Sequence, residues 1–348
     1  ERNRARQPAG RNMRARNNVS RGILLISIAF AAAILCGCAS SRWNIENPYA
    51  DVDWNRHQRV KANFHTHTTQ SDGSLSPAEA IGKYHELGYQ ALALTDHNKV
   101  TWPWEVYDSG AGRLGMVAVQ GAEASRHHHI GALFCGVPGA SSETGTLAQV
   151  RRQGGLAVMH HPGRYGWPAK RYVELFREWD QLAGMEVFNQ GDRFPGDRKT
   201  WDEVLAVLMP EGRPVWGFSN DDMHRDAQLG RNWNVLLVPA LSPQAVRRAV
   251  EQGAFFFVYA PKAREGTMPP SISAISVDSK KGIIRIKASG YERIEWISGG
   301  KIVHRGDTID LAAKTNVNGY IRAVIHAAGG SSLTGTQPMR IRAGGTLP

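Results

Sequence analysis

Between residues 60 and 260, short apolar runs alternate with stretches whose apolar positions recur every three or four residues. The runs at 60–64, 91–94, 116–119, 131–135, 156–159, 184–188 and 215–218 have the length and composition of buried strands. The intervening stretches read as helices, at 146–153, 169–179, 200–208 and 242–252, with a further one opening at Ser76-Pro77-Ala78-Glu79. There Ser76 is placed to cap the helix, Pro77 fits its first position and Glu79 completes a capping box. Ser242-Pro243 repeats the cap-then-proline signal. Strands alternating with helices predict a parallel sheet, and about seven such units predict a barrel rather than an open sheet.

The pattern changes after the proline-containing stretch 261–270. Short alternating segments follow at 271–277, 283–288, 293–297, 301–304, 319–326 and 339–342, punctuated by turns such as Ser298-Gly299-Gly300. This period-two pattern predicts a small all-β, immunoglobulin-like sandwich over 263–348. The α/β barrel is assigned to 61–262, and the polar segment 39–60 reads as a tether.

Composition is ordinary for a globular protein, with 42% hydrophobic and 21% charged residues, which excludes wholesale disorder. The formal charge of +11 is unevenly spread: seven arginines and one acid lie within residues 1–37, leaving 35 basic and 30 acidic residues for the remainder. Basicity therefore says little about a partner for the folded part. Arg14, Arg16 and Arg21 precede an apolar run from Ile23 to Leu35, about 20 Å long as a helix and short for a bilayer core of about 30 Å. A basic segment followed by a short apolar one reads as a secretion signal over 1–38. The sequence Leu35-Cys36-Gly37-Cys38 that closes it resembles a bacterial lipobox, which implies cleavage before Cys38, lipidation of its thiol, and an exported protein anchored to a membrane face. With Cys36 removed and Cys38 acylated, Cys135 remains alone and no intramolecular disulfide can form.

Eleven of the 13 histidines fall between 57 and 224, and most close a predicted strand. Phe64-His65-Thr66-His67 ends the first, Thr95-Asp96-His97-Asn98 the second, and Gly121-Ala122-Glu123 follows the third. His129 opens the fourth, His160-His161-Pro162-Gly163 ends the fifth, and Asn220-Asp221-Asp222-Met223-His224 ends the last. In a parallel barrel the carboxyl ends of the strands share one mouth, where such enzymes keep their active sites. Imidazole and carboxylate suit zinc, manganese or iron. His65 and His67 lie two apart on an extended chain, so both rings face one side, and Asp222 and His224 repeat that arrangement. His57 and His85 read as bystanders, His127 and His128 as loop neighbours of His129, and His160 competes with His161.

The order His-x-His, Ser71-Asp72-Gly73, Thr-Asp-His-Asn, Gly-x-Glu, a lone His, His-Pro-Gly-Arg and Asp-x-His resembles the PHP (polymerase and histidinol phosphatase) family over about residues 61–260. The resemblance implies a distorted seven-stranded TIM-like β/α barrel, two or three divalent ions, and hydrolysis of phosphate esters. Carried over by motif, His65, His67, Glu123 and Asp222 would hold a first ion, Glu123, His129 and His161 a second, and Asp72, His97 and His224 a third. Asp96 would orient its neighbour His97. The expected reaction is hydrolysis of a phosphomonoester or phosphodiester by cation-activated water. Asp222 or a neighbouring histidine such as His224 would move the proton, and Arg164 is a candidate clamp for a phosphate oxygen. The expected substrate is a phosphorylated small molecule or nucleotide. No basic stripe studded with aromatics lies beyond the signal region, so nothing in the sequence supports nucleic acid. Two alternatives stand beside this reading: an amidohydrolase-like metallohydrolase, and a non-catalytic surface protein whose metals are structural.

Overall fold

The computed structural model describes residues 43–107, 111–317 and 319–343. The signal, the lipobox and Cys38 lie outside the described residues. No described helix is long and apolar enough to cross a membrane.

The chain is a mixed α/β fold built on three sheets. Parallel strands Gln58–Asn63, Ala91–Ala93 and Val117–Val119 form one edge of an eleven-stranded sheet. A second sheet has five strands, Gly121–Ala124, Ile130–Leu133, Leu156–Met159, Leu182–Asn189 and Trp216–Asn220. Helices Pro77–Glu86, Glu143–Arg152, Ala169–Glu178, Gly196–Glu211 and Pro243–Gln252 connect these strands, close to the sequence-derived positions. The expected capping box is present: Ser76 N–H donates to Glu79 Oε2 at 2.8 Å, and Glu79 N–H to Ser76 Oγ at 3.3 Å.

The uniform parallel barrel is not what the strands form. The strand ladders do not close into one ring, although two isolated parallel bridges, Thr66 with Met223 and His97 with Glu123, link the sheets beside the histidines. The third expected strand, 116–119, is found as Val117–Val119, and the residues that follow it form a separate strand, Gly121–Ala124, in a different sheet. Ile130–Leu133 runs antiparallel to both its neighbours. Only residues 125–129 separate it from Gly121–Ala124, too few for the crossover of a dozen or more that a parallel pair needs. Two strands without a sequence-derived counterpart, Asn232–Val238 and Phe255–Tyr259, add antiparallel pairs to the first sheet.

The C-terminal β segment is joined to this scaffold through the backbone. Strand Leu333–Thr336 pairs with Phe255–Tyr259, so one C-terminal sheet continues the eleven-stranded sheet. The three-stranded sheet of Ser271–Asp278, Ile283–Ser289 and Thr308–Asp310 contributes to a shared core with it, where Ile272, Ile284, Ile294, Trp296, Ile321 and Ile325 are buried. The segment read as a tether is structured where it is described: Trp43–Glu46 pairs with Met339–Ala343, and Tyr49 is buried in the same core. Trp43, Ile45, Val52 and Trp54 of the same stretch pack against that core, and the Tyr49 hydroxyl donates to Phe255 O at 3.0 Å.

A buried ion pair fastens helix Gly196–Glu211 to strand Tyr320–His326. Asp202 accepts from Arg322 Nη2 at 2.6 Å, from Arg322 Nε at 2.9 Å and from the Tyr320 hydroxyl at 2.8 Å. The guanidinium also lies 4.9 Å from the Trp201 ring. Truncating one partner strands a buried charge, a costlier event than losing an exposed pair. Asp202→Ala is therefore expected to lower unfolding free energy by about 3–5 kcal/mol in urea titration, and an effect below 1 kcal/mol would show that the pair is solvated.

Candidate metal centre

All nine predicted metal ligands converge on one site. His65 and His67 follow strand Gln58–Asn63, and their Nε2 atoms lie 3.1 Å apart. Asp222 Oδ1 stands 3.2 Å from His65 Nε2 and 3.1 Å from His67 Nε2. Glu123 sits at the centre: its Oε1 is 3.1 Å from His65 Nε2, 3.0 Å from His129 Nδ1 and 3.4 Å from His161 Nε2, and its Oε2 is 2.8 Å from His97 Nδ1. Asp72 closes the rim, within 3.4–3.7 Å of ring nitrogens of His67, His97 and His224. The base is sealed, with His65, His67 and Glu123 buried. The rim is open, with the Asp72 side chain 54% exposed and those of His97 and His224 about a quarter exposed.

The antiparallel strand explains how His129 reaches this mouth. It precedes Ile130–Leu133, and in a parallel strand that position would lie at the far end. Because the strand is reversed, its start meets the carboxyl ends of the others. The turn bearing Asp72 is held by Asp96, whose carboxylate accepts from Thr68 N–H at 2.7 Å, Thr68 Oγ1 at 2.8 Å and Ser71 Oγ at 2.7 Å. Asp96 thus fixes the Asp72 turn by its side chain rather than orienting His97. Gly73 in that turn has no room for a side chain, since a Cβ would sit 2.5 Å from the His67 carbonyl carbon. His161 and Asp222 both adopt left-handed backbone conformations, with φ of 30° and 44°, a strain found where function fixes geometry.

Two groups besides the nine predicted ligands belong to the cluster: Glu186, which the motifs did not supply, and His160, which the sequence left in competition with His161. Glu186 lies in the fully buried strand Leu182–Asn189 and is 2.9 Å from His65 Nδ1. Burial opposes its charge, but His65 and His160 outweigh that and hold its carboxyl at about 2. It is therefore an acceptor, and His65 Nδ1–H donates to it, leaving Nε2 free to face Glu123 and Asp222. Glu186 also accepts from His161 N–H at 2.9 Å and from Asn220 Nδ2 at 2.9 Å. An acid inside the apolar run Met185-Glu186-Val187-Phe188 was the available signal. His160 lies beside His161 rather than replacing it: its Nδ1 is 2.9 Å from Glu123 Oε1 and its ring stacks on His65 with centroids 3.7 Å apart.

Arg164 does not touch the cluster. It is exposed, with its guanidinium 5.7 Å from the Tyr165 ring. His127 and His128 also point elsewhere, to Thr146 Oγ1 at 2.9 Å and the Tyr172 hydroxyl at 2.8 Å.

The electrostatics fit divalent cations. Burial disfavours charge on every member, yet Asp222, Glu123 and Glu186 together raise His65 well above its usual value. Burial keeps His67 below the usual value, and drives His160 down to about 4. Glu123 and Asp222 stay ionised despite burial, chiefly because of His65. Three buried carboxylates thus raise His65 and, at the rim, Glu123 and Asp72 raise His97, while burial keeps His67, His129 and His160 low. Among the described residues, His67 Nδ1, His97 Nδ1, Glu123 Oε2, His161 Nδ1 and Asp222 Oδ1 are buried without a hydrogen-bond partner. His97 Nδ1 and Glu123 Oε2 approach to 2.8 Å without hydrogen-bond geometry, as lone pairs converging on a common point would. Donor atoms close enough to share an ion group as His65, His67 and Glu123; as His67, Asp72, His97 and His224; as His97, Glu123 and His129; as His65, His161 and Asp222; and as His65, His160 and Glu186. The first two resemble the motif-based first and third sets, with His67 added to the latter. In the second set His129 groups with His97, and His161 groups instead with His65 and Asp222.

No family model matches the chain. An uncharacterized protein of Methanocaldococcus jannaschii is 47% identical over 38 residues, 11% of this chain, and the match spans only 17% of that relative. Among solved structures, a Bacteroides vulgatus two-domain protein containing a predicted PHP-like metal-dependent phosphoesterase aligns with a TM-score of 0.51. It is 15% identical, and the alignment covers 84% of this chain and 96% of that one. The likeness is one of fold, over both the α/β part and the C-terminal β segment. A metal-dependent phosphoesterase of Bifidobacterium adolescentis, described as putative, aligns with a TM-score of 0.41 at 16% identity, covering 55% of this chain and 96% of its own.

Removing the Glu186 carboxylate frees the His65 ring and is expected to weaken metal affinity about 10- to 100-fold. Competition between Glu186→Ala and a chelator measures this, and unchanged affinity would refute the orienting role. Asp197 gives a pH test. It is buried in the first turn of helix Gly196–Glu211 and accepts from Gly163 N–H at 2.6 Å, two residues after His161. Burial pushes its carboxyl up to about 8. A raised acid favours folding at low pH, so its contribution is lost as pH rises from about 4 through about 8. The stability difference between wild type and Asp197→Asn should therefore change across that range and level off above it.

Proposed function

We propose that this protein hydrolyses a phosphate ester with the help of divalent cations, zinc, manganese or iron, held by the centre described above. The supporting observation is the arrangement of a sealed Glu123-centred base beneath an open rim of Asp72, His97 and His224. His65, His67, Asp222 and Glu123 would hold one ion, Glu123, His129 and His161 a second, and Asp72, His97 and His224 a third. Such ions lower the pKa of water towards neutrality and offset charge on phosphoryl oxygens.

The chain's own groups do the rest. Glu123 offers one oxygen to the His65 side and the other to the His97 side, so it can serve two ions at once. Asp222 Oδ1 faces His65 and His67, while the His224 ring lies nearer solvent, with Nδ1 2.9 Å from Asp222 O. That tautomer leaves the Nε2 lone pair of His224 at the rim beside Asp72, where it can accept a proton or hold an ion. The buried base excludes water from the rest of the cluster. Lys61, in the strand that leads to His65, lies 4.2 Å from the Tyr89 ring and 4.3 Å from that of Trp233, which disfavours an amidohydrolase bridged by a modified lysine at that strand. The exported, lipid-anchored placement rests on the sequence around Cys38 and forms part of the same reading.

His67→Ala removes a ligand from two donor groups. Metal-dependent turnover of 4-nitrophenyl phosphate should then fall at least about 10³-fold, comparable with the loss of a principal electrostatic stabiliser. Chelation should abolish turnover by the wild type, with recovery on adding zinc or manganese. Full activity in the variant, or in the presence of chelator, would refute the assignment.

A further inference from the structure

A cavity of about 460 Å³ adjoins the rim of the candidate metal centre, lined by Asp72 and His224 together with Gln190, Arg193, Arg225 and Gln228. Both arginines are exposed, and neither pairs with a carboxylate among the described residues. This is not for want of acids nearby. Asp192, next to Arg193, is bound by Arg198 at 2.7 and 3.0 Å. Asp226, next to Arg225, is bound by Lys83 at 2.8 Å and Arg264 at 3.0 Å. Asp72 lines the same cavity, but its oxygens lie within 4 Å of imidazoles, not of guanidinium groups. Each adjacent carboxylate is engaged elsewhere, and two full positive charges are left facing one small space.

Both side chains leave braced backbone. Arg193 Nη1 donates to Gln190 Oε1 at 2.7 Å, and Gln190 Nε2 donates to Asp222 O at 3.0 Å. Gln190 itself is held in a left-handed conformation, with φ of 48°. The guanidinium of Arg193 also lies 5.1 Å from the Phe194 ring, and that ring lies 5.6 Å from the ring of His161. Gln228 Oε1 accepts from His224 N–H at 2.8 Å and Arg225 N–H at 2.9 Å, fixing the peptide from which Arg225 departs. The two arginines are thus tied to the backbone that carries Asp222 and His224, yet most of their N–H donors remain uncommitted.

We propose that this cavity is a subsite for a second phosphate group of the substrate, clamped by Arg193 and Arg225 while the scissile ester lies over the metal centre. The proposal rests on the phosphoesterase reading and narrows it to substrates with two phosphates. Guanidinium forks match phosphate oxygens bidentately, and a two-arginine clamp favours a multiply charged group over a neutral one. The chemistry is shared by a bisphosphorylated small molecule and by a neighbouring phosphate of a short oligonucleotide.

The test uses the full, metal-loaded chain with Arg193→Ala, Arg225→Ala and the double variant. Three substrates are compared: 4-nitrophenyl phosphate, fructose 1,6-bisphosphate and a 5′-phosphorylated dinucleotide. For at least one substrate with a second phosphate, kcat/KM should fall about tenfold more per arginine than for 4-nitrophenyl phosphate, mainly through KM. Loss confined to the sugar bisphosphate identifies a small-molecule substrate, and loss confined to the dinucleotide identifies a strand. Equal loss on all three substrates, or none on any, overturns the subsite. Should the wild type hydrolyse none of them, the phosphoesterase reading fails, and the subsite is judged on binding alone. Chelator-treated wild type should then bind inorganic phosphate by calorimetry and the double variant should bind it at least about tenfold more weakly. No binding, or equal binding, overturns it.

Discussion

Three carboxylates buried together set the terms for the rest of this molecule. Glu123, Asp222 and Glu186 lie in a region from which water is excluded, where, against the effect of burial, their charge raises the pKa of His65 and that of Glu123 and Asp72 raises His97. Such a cluster costs stability unless cations complete it. The cost is accepted at one end of the sheets and offset by apolar packing elsewhere, including the clusters around Trp201 and Phe218. Buried donors without partners mark where the compensation belongs.

The scaffold is arranged around that cluster. A short 125–129 connection reverses one strand and brings His129 to the side where its partners end. A break at Gln120 passes Glu123 into the second sheet, and the bridge between His97 and Glu123 holds the two sheets together there. Glu186 ties His65 to the peptide of His161, joining ligands from two strands through one carboxylate. Positive φ at His161 and Asp222 is maintained because these hydrogen bonds and the surrounding packing over-determine the backbone.

Among the described residues the C-terminal β segment adds no side chain to the cluster, but it is tied to the part that carries it by main-chain pairing and by the Asp202–Arg322 pair. Its strands extend the sheet whose other members position His65, His67 and His97. That continuity bears on rigidity, since a sheet that runs through both parts resists movement between them. The rim carrying Asp72, His97 and His224 is the more open part of the site.

Much of this was legible in the sequence. Apolar runs and capping residues located most strands and helices, because those signals are local. Recurrence of His, Asp and Glu at strand ends identified nine converging side chains, because carboxyl ends of neighbouring strands gather at one mouth, although here they come from two sheets joined by isolated bridges. The reversed strand, the strands Asn232–Val238 and Phe255–Tyr259 and the structured residues after Trp43 followed from loop length and long-range pairing, which a periodicity window does not contain. Glu186 and His160 joined the cluster, and Arg164 stayed outside it, for the same reason. Which chemistry the residues could perform was fixed by their identity. Which atoms face one another, at what depth and with what charge left over, was decided only when segments more than a hundred residues apart packed together, because burial and Coulomb interaction depend on distance in space rather than along the chain.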